Sequence, residues 1–337
     1  MAKRVTAKDI AESLGVSMMT VSRAINGHPN VNNKTRERVI SKAKELGYTP
    51  NHVAKSLVLQ KTSIIGVVVP EITHSFFPEA IRGIEDALFS SDYQLILTHS
   101  AEDDERERKA IETLESKRVD GILISTSEST RRYTEYEKVV QSGIPLVFFD
   151  RCVQGIGASC IRINDTRSAK MVTEHLVEHG YKRIAHLRGP EYVSIGKARY
   201  EGYVQALESH GIPVDKGLVV TAGFHEDAGY KAMKYLLENE EVDAVVAVND
   251  PAAFGAYKAI REKGLRVPDD IAIAGFSDDI RAELMETPLT TVRQPAYEVG
   301  NVAAKKLLAH IERVNEQVEE ITIETELVIR RSCGCPS

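Results

Sequence analysis

The stretch VTAKDIAESLGVSMMTVSRAING, residues 5–27, decides how the rest of the chain is read. Thr6, followed three residues later by Asp9, is a helix-capping pair. Ile10, Ala11 and Leu14 fall on one helical face, and Gly15 stands where that helix must end. Ser17 caps a second helix whose Val21 and Ile25, one turn apart, face inward and leave Met18, Met19, Ser22 and Arg23 outward. Gly27 closes it. Two short helices joined by Gly-Val-Ser form a helix-turn-helix, the arrangement whose second helix enters the major groove of DNA. Arg23 is then the natural reader of base edges. A third helix follows, capped by Asn32, with Val39, Ala43 and Leu46 at helical spacing and Gly47 as terminator.

The charge distribution agrees with this reading. The whole chain of 337 residues carries a net charge of -6, which alone argues against a nucleic-acid partner. From Met1 to Lys61, however, 11 Lys and Arg stand against 4 Asp and Glu, and the remainder carries 32 against 45. The positive charge sits where the helix-turn-helix is. Beyond it, residues 48–61 hold Val53, Ala54, Leu57 and Val58 as an apolar stripe of about two turns after Pro50-Asn51. Isolated helices shorter than about 12 residues are marginal in water, so this segment needs a partner to be helical and otherwise reads as a linker.

From Ser63 onward, short apolar runs alternate with longer helical patterns: IIGVVV (64–69), YQLILT (93–98), GILIS (121–125), PLVFF (145–149), RIAHL (183–187), AVVAV (244–248) and IAIAGF (271–276). Runs apolar on both faces and separated by helices predict parallel sheets covered on both sides, a doubly wound α/β architecture. The series passes twice, with VDGILIS and GIPLVFFD in the first half and VDAVVAVND and DDIAIAGFS in the second. Two lobes of like topology are expected, with ligands at the strand C-termini where the lobes face each other.

Residues 5–27, KTRERVISKAKELGYTPNHVAKSL (34–57) and IIGVVVP (64–70) together resemble the lactose-repressor (LacI/GalR) family. HLVEHGYKRIAHLRGP (175–190), DAVVAVND (243–250), GLRVPDDIAIAGFSD (264–278) and PLTTVRQP (288–295) continue the likeness in order along the whole chain. The resemblance implies an all-α headpiece (1–47), a hinge (48–61) and a two-lobed periplasmic-binding-protein-like core (62–337) of doubly wound parallel sheets. The first lobe is expected over about 62–162 and 293–322, the second over about 163–292 and 323–337. It also implies a homodimer on a near-palindromic operator in double-stranded DNA. Met18, Met19 and Arg23 would face bases, and Thr6, Ser17, Thr20 and Asn26 would position the backbone. Methionine offers thymine methyls and sugars only apolar contact, so Arg23 carries the polar code, while Met19 could equally pack on the third helix. Asn51, Ala54 and Leu57 would lie in the minor groove, with Leu57 as the wedge between central base pairs. His52 stands where the family usually has arginine.

For the effector, the same likeness implies Phe76, Phe77, Asp165, Arg199, Phe224, Asn249, Ser277 and Asp278. Aromatic faces with a few hydrogen-bonding groups suit a sugar, a sugar acid or a nucleoside. Val193, Ile195 and Ser277 stand where relatives are often more polar. No P-loop, G-x-S-x-G, H-E-x-x-H or G-x-G-x-x-G motif argues for catalysis or a cofactor, and an α/β enzyme is set aside. A sugar-binding transport protein would share the core but lack a headpiece. The start of the chain reads as neither signal peptide nor membrane span, so the cytoplasm is expected, with Cys152, Cys160, Cys333 and Cys335 reduced. Two fragments of metal chemistry, Cys333-Gly-Cys335 and the i,i+4 pair His175 and His179, are each set aside for want of further ligands.

Overall fold

The computed structural model describes residues 5–48, 61–314 and 317–335. The chain divides into two units between Thr62 and Ser63. In the first, α1 (Ala7–Leu14), α2 (Met18–Ile25) and α3 (Asn33–Glu45) begin at the caps the sequence implies. Thr6 and Asp9 form a reciprocal capping box, Ser17 accepts from the Thr20 amide, and Asn32 accepts from the Thr35 amide. Each cap satisfies amides that have no partner inside the helix. Ile10, Val21 and Val39 are fully buried and, with Ala11, Ala24 and Val31, form the core of the unit. Arg36 donates to the carbonyls of Gly27, His28 and Val31 and fixes the turn into α3. The expected hinge, with Asn51, Ala54 and Leu57, lies outside the described residues.

The second unit contains two six-stranded sheets. The first is built from β1 (Ile64–Val69), β2 (Gln94–His99), β3 (Gly121–Ile124), β4 (Leu146–Phe149), β5 (Ser159–Ile163) and β11 (Glu320–Ile323), all parallel, in the order β11-β5-β4-β3-β1-β2. The second is built from β6 (Ile184–Arg188), β7 (Val219–Thr221), β8 (Ala244–Ala247), β9 (Ala272–Ser277), β10 (Thr290–Arg293) and β12 (Glu326–Val328), in the order β12-β10-β9-β8-β6-β7. Only β12 runs antiparallel to its neighbour. The helices of the first lobe are α4 (Phe76–Phe89), α5 (Asp104–Ser116), α6 (Thr134–Gln141) and α12 (Ala296–Ile311). Those of the second are α7 (Asp165–Glu178), α8 (Ser194–Ser209), α9 (Glu226–Asn239), α10 (Asp250–Glu262) and the short α11 (Arg281–Leu284).

The chain therefore crosses between lobes three times, after β5, after β10 and after β11. The crossing after β10 returns α12 to the first lobe, where it lies flush on α4. A Cβ on Gly83 would strike the Tyr297 carbonyl oxygen, and one on Gly300 would strike that of Ala80, so both contact faces require glycine.

One expectation is corrected. Cys152 and Cys160, expected to be thiols, are joined in a disulfide between β4 and β5. The intervening loop folds back and brings their Cα atoms to 6.0 Å, within bridging reach. Spacing along the chain could not reveal that fold-back. Cys333 and Cys335 are free. Among the described residues, no helix is long and apolar enough to cross a membrane.

Candidate functional site

The first unit presents a reading face. Met18 and Met19 are 57% and 62% exposed, so neither packs on α3, and Arg23 is exposed beside them. Val21 and Ala24 are buried on the opposite face, which orients the helix. Large apolar side chains held in water next to a cation are positioned for a partner surface. Thr6, Ser17, Thr20 and Asn26 cluster at the helix ends. Ser17 and Thr20 share a hydroxyl contact of 2.9 Å, and the Asn26 side chain donates to the Ser22 carbonyl.

In the second unit, residues from the C-terminal ends of both sheets line one cavity. Glu71, His74, Ser75, Phe76 and Phe77 come from beyond β1, Glu102 from beyond β2, and Asp150 and Arg151 from beyond β4. Facing them are Ile195 and Arg199 of α8, Phe224 and His225 before α9, Asn249 and Pro251 at α10, Ser277 at the end of β9 and Gln294 after β10. The cavity measures about 50 Å³. A water in the liquid occupies about 30 Å³ and ligand pockets usually offer several hundred, so the facing side chains leave this cleft little room for a ligand in the present conformation.

Closure is held by contacts across the cleft. Ser75 donates to Asp279 through its hydroxyl at 3.0 Å and its amide at 3.3 Å. The Arg151 guanidinium lies 4.5 Å from the Phe224 ring centre, Arg131 sits over Tyr192, and the His74 and His225 rings are 5.9 Å apart. Cations over aromatic faces are attracted most strongly where water is excluded.

Within each lobe the charges are set by burial. Arg151 pairs with Glu102 at 2.8 Å, and Arg199 pairs with Asp165 at 2.8 Å, donates to the Val248 carbonyl and lies over Phe276. Burial pushes the Asp150 carboxyl up to about 6, against the pull of Arg151 and Arg199. Asp250, also buried, is pushed up to about 6 although it accepts from Thr291 and the Asp279 amide. Burial holds the His74 imidazole below its ordinary value. Among the described residues, the buried His74 Nε2 and Glu102 Oε1 have no hydrogen-bond partner. Such atoms cost free energy unless something polar meets them.

Of the eight residues expected at the effector site, Phe76, Phe77, Arg199, Phe224, Asn249 and Ser277 line the cleft. Two do not. Asp165, at the first turn of α7, stands behind Arg199 and orients it. Asp278 turns away, accepting from Arg293 and Arg330 at 2.7 Å each, because its left-handed backbone (φ 58°) points the side chain toward β10. The acid that meets the other lobe is Asp279, one residue on. Asn249 is also partly committed, donating to the Phe224 carbonyl while capping α10. Sequence reasoning missed Glu71, His74, Glu102, Asp150, Arg151, His225 and Gln294. The rule that ligands lie beyond strand C-termini would have found Asp150-Arg151, which directly follow the run PLVFF.

Comparison with known proteins agrees with both units. Residues 6–51 match the family described as bacterial regulatory proteins, lacI family. Residues 62–331 match periplasmic binding proteins and sugar binding domain of LacI family. A ribose operon repressor of Halalkalibacterium halodurans is 36% identical over 97% of this chain and 96% of its own length. The transcriptional repressor PurR of Haemophilus influenzae is 35% identical over 97% of this chain and 98% of its own. A lac repressor dimer bound to operator and an anti-inducer superposes with a TM-score of 0.87 at 26% identity, covering 98% of this chain and 99% of that one. A CelR-cellobiose complex superposes with a TM-score of 0.76 at 31% identity, covering 98% and 100%. A capped helix-turn-helix with a bare reading face, joined in one chain to a two-lobed core with a closable polar cleft, belongs to the LacI family of ligand-responsive, DNA-binding transcription regulators.

Proposed function

We propose that this chain is a repressor that binds a near-palindromic operator as a homodimer and releases or grips it according to a sugar-class effector held between the lobes. The observation that carries the effector class is the composition of the cleft. Arg151, Arg199, Asp150 and Asn249 lie among Phe76, Phe77 and Phe224, and buried polar atoms of His74 and Glu102 lack partners among the described residues. A ligand with several hydroxyls meets such atoms, while its ring or carbon faces pack on the phenylalanines. Relatives named for ribose and cellobiose support a sugar, and nucleosides, whose ribose carries hydroxyls, stay among the candidates.

The headpiece of residues 1–47 supplies attachment. Arg23 reads guanine in the major groove, Met18 and Met19 press on thymine methyls, and Thr6, Ser17, Thr20 and Asn26 face phosphates. The hinge of residues 48–61 pairs with its dimer mate in the minor groove, where Asn51 and Ala54 contact the groove wall and Leu57 wedges between base pairs. Leu57→Ala weakens operator binding and reduces DNA bending with dimerisation intact, and unchanged bending in a circular-permutation gel shift removes Leu57 from that role. The core of residues 62–337 binds and senses. The protein so proposed acts in the cytoplasm as a regulator with no catalytic step.

An effector acts only through different affinities for the open and closed cleft. Thermal-shift screening of the full chain against sugars, sugar acids and nucleosides tests the class, since a ligand present at 100 times its Kd stabilises by about 2.7 kcal/mol. A shift with compounds carrying several hydroxyls is expected. A response confined to compounds without hydroxyls contradicts the assignment.

A further inference from the structure

The two fragments of metal chemistry that stand 154 or more residues apart in the sequence meet in space. His175 lies in the last turn of α7 and His179 caps it, so both imidazoles leave the same end of one helix, with ring centres 4.4 Å apart. The C-terminal turn Arg331–Cys333 is fixed against the second sheet, with Ser332 Oγ donating to the Ile273 carbonyl and accepting from the Thr290 amide. That anchoring brings Cys333 and Cys335 to the two histidines. Cys335 Sγ is 3.6 Å from His175 Nε2 and 2.8 Å from His179 Nε2. One ligand atom each from His175, Cys333 and Cys335 lie within 4.8 Å of one another, and His179 joins this trio through its contact with Cys335.

The residue between the cysteines makes the geometry possible. Gly334 has φ +89°, a left-handed conformation that turns the chain so that both thiols reach the same helix end. A Cβ there would press on the Tyr181 hydroxyl at 2.8 Å, and that hydroxyl donates to the Cys333 carbonyl. The ligands are oriented as well. His179 Nδ1 lies 2.7 Å from the His175 carbonyl, which keeps the tautomer that leaves Nε2 bare toward the cysteines. His175 and Cys333 are buried while Cys335 is half-buried and His179 exposed, so a cation can enter from the His179 side.

We propose that His175, His179, Cys333 and Cys335 form a binding site for a soft divalent cation of the zinc class, which ties the C-terminal turn to the end of α7. Two thiolates and two imidazoles are the donor set such an ion takes in tetrahedral structural sites. With metal bonds of about 2.3 Å to sulfur and about 2.0 Å to nitrogen, the S···N edge of that tetrahedron is about 3.5 Å. The Cys335 to His175 distance already matches it. The Cys335 to His179 distance is that of a hydrogen bond and opens by under about 1 Å when the ion replaces the shared proton. Binding releases the two thiol protons to solvent as the metal–sulfur bonds form. The site lies at the far end of the helix whose first residue, Asp165, holds Arg199, and is separate from the cleft.

The test uses the full chain, reduced and stripped of metal, titrated with zinc against a chromogenic chelator and separately with cobalt(II). One equivalent of zinc per chain, a cobalt spectrum with thiolate charge-transfer and tetrahedral d–d bands, and a rise in Tm with zinc are expected. Cys335→Ser and His179→Ala, at the half-buried and the exposed ligand, weaken zinc binding by more than the 10–100-fold lost with an outer-shell partner. The Cys152→Ser/Cys160→Ser double variant binds as the parent does. The proposal is overturned if the reduced chain takes up no zinc, if cobalt is octahedral, if Cys335→Ser binds normally, or if the double variant loses the site.

Discussion

The two lobes of the core share one blueprint and use it differently. The amide of Asp120 bonds the Ile64 carbonyl and that of Asp243 bonds the Arg183 carbonyl, so the registers equate β1 with β6 residue by residue. Val67 of the first sheet then corresponds to His186 of the second, and Phe149-Asp150 to Phe276-Ser277. Both β4 and β9 leave their sheets through a residue of positive φ, Asp150 at 61° and Ser277 at 133°. Such strain is tolerated where a loop must aim side chains at a site. The arginines of the two lobes part ways. Both pair with an acid of their own lobe, Arg151 with Glu102 and Arg199 with Asp165, but Arg151 also reaches across the cleft to the Phe224 ring. Arg151 thus has a contact to lose when the lobes part, while the hydrogen bonds of Arg199 all lie in the floor of its own lobe. On one backbone plan, a few residues at the strand ends decide which arginine reaches across the cleft and which stays within its lobe.

Three variants break or sharpen that contrast. Arg199→Ala leaves Asp165 buried without its cation, and loss of one member of a buried pair costs about 3–5 kcal/mol. Chemical denaturation should show a loss of that order, with ligand response gone. An unchanged midpoint denies Arg199 its place in the floor. His186→Gln tests the buried histidine that replaces an aliphatic side chain. Burial pushes His186 down to about 4, so the folded lobe stays neutral while the unfolded chain takes a proton near 6.5. The unfolded state binds more protons between those values, and this contribution is lost as pH falls from about 6.5 through 4. Asp150 and Asp250, raised to about 6, act in the opposite sense, with stability rising as pH falls from 6 toward 3.8. The difference between parent and variant isolates the histidine, and the parent should lose about 3 kcal/mol more than His186→Gln across that window. Equal pH profiles contradict the burial argument. Ser75→Ala removes a hydrogen bond to the Asp279 carboxylate that exists only with the lobes closed, worth about 2 kcal/mol. A larger radius of gyration in solution scattering, at nearly unchanged unfolding midpoint, is the expected result, and an unchanged radius removes Ser75 from the latch.

The architecture was legible because its signals are local. Thr6, Ser17 and Asn32 cap helices with their own side chains, and the central strands are unbroken apolar runs. Of the unread strands, β7, β11 and β12 sit at sheet edges, while β5 (SCIRI) and β10 (TTVR) are interior but carry polar residues that interrupt the apolar run. β11 alternates exposed and half-buried residues, and β7 has three residues. The cleft was legible only in part, since its aromatic residues follow motifs while its charges depend on pairing across distance. Asp278 and Asp279 are adjacent acids, and only the backbone turn decides which meets the other lobe. The same limit hid the disulfide and left His175, His179, Cys333 and Cys335 as unrelated fragments.

Closing the cleft on a hydroxyl-rich ligand is expected to change DNA binding, and every role assigned to the two lobes depends on it. The direct test is fluorescence anisotropy of the full chain on the near-palindromic sequence beside its own gene, titrated with compounds that raise its melting temperature. A stabilising sugar-class ligand should change operator affinity by at least about fivefold, the lower end of ordinary allosteric coupling. Tight ligand binding with operator affinity unmoved would contradict that coupling.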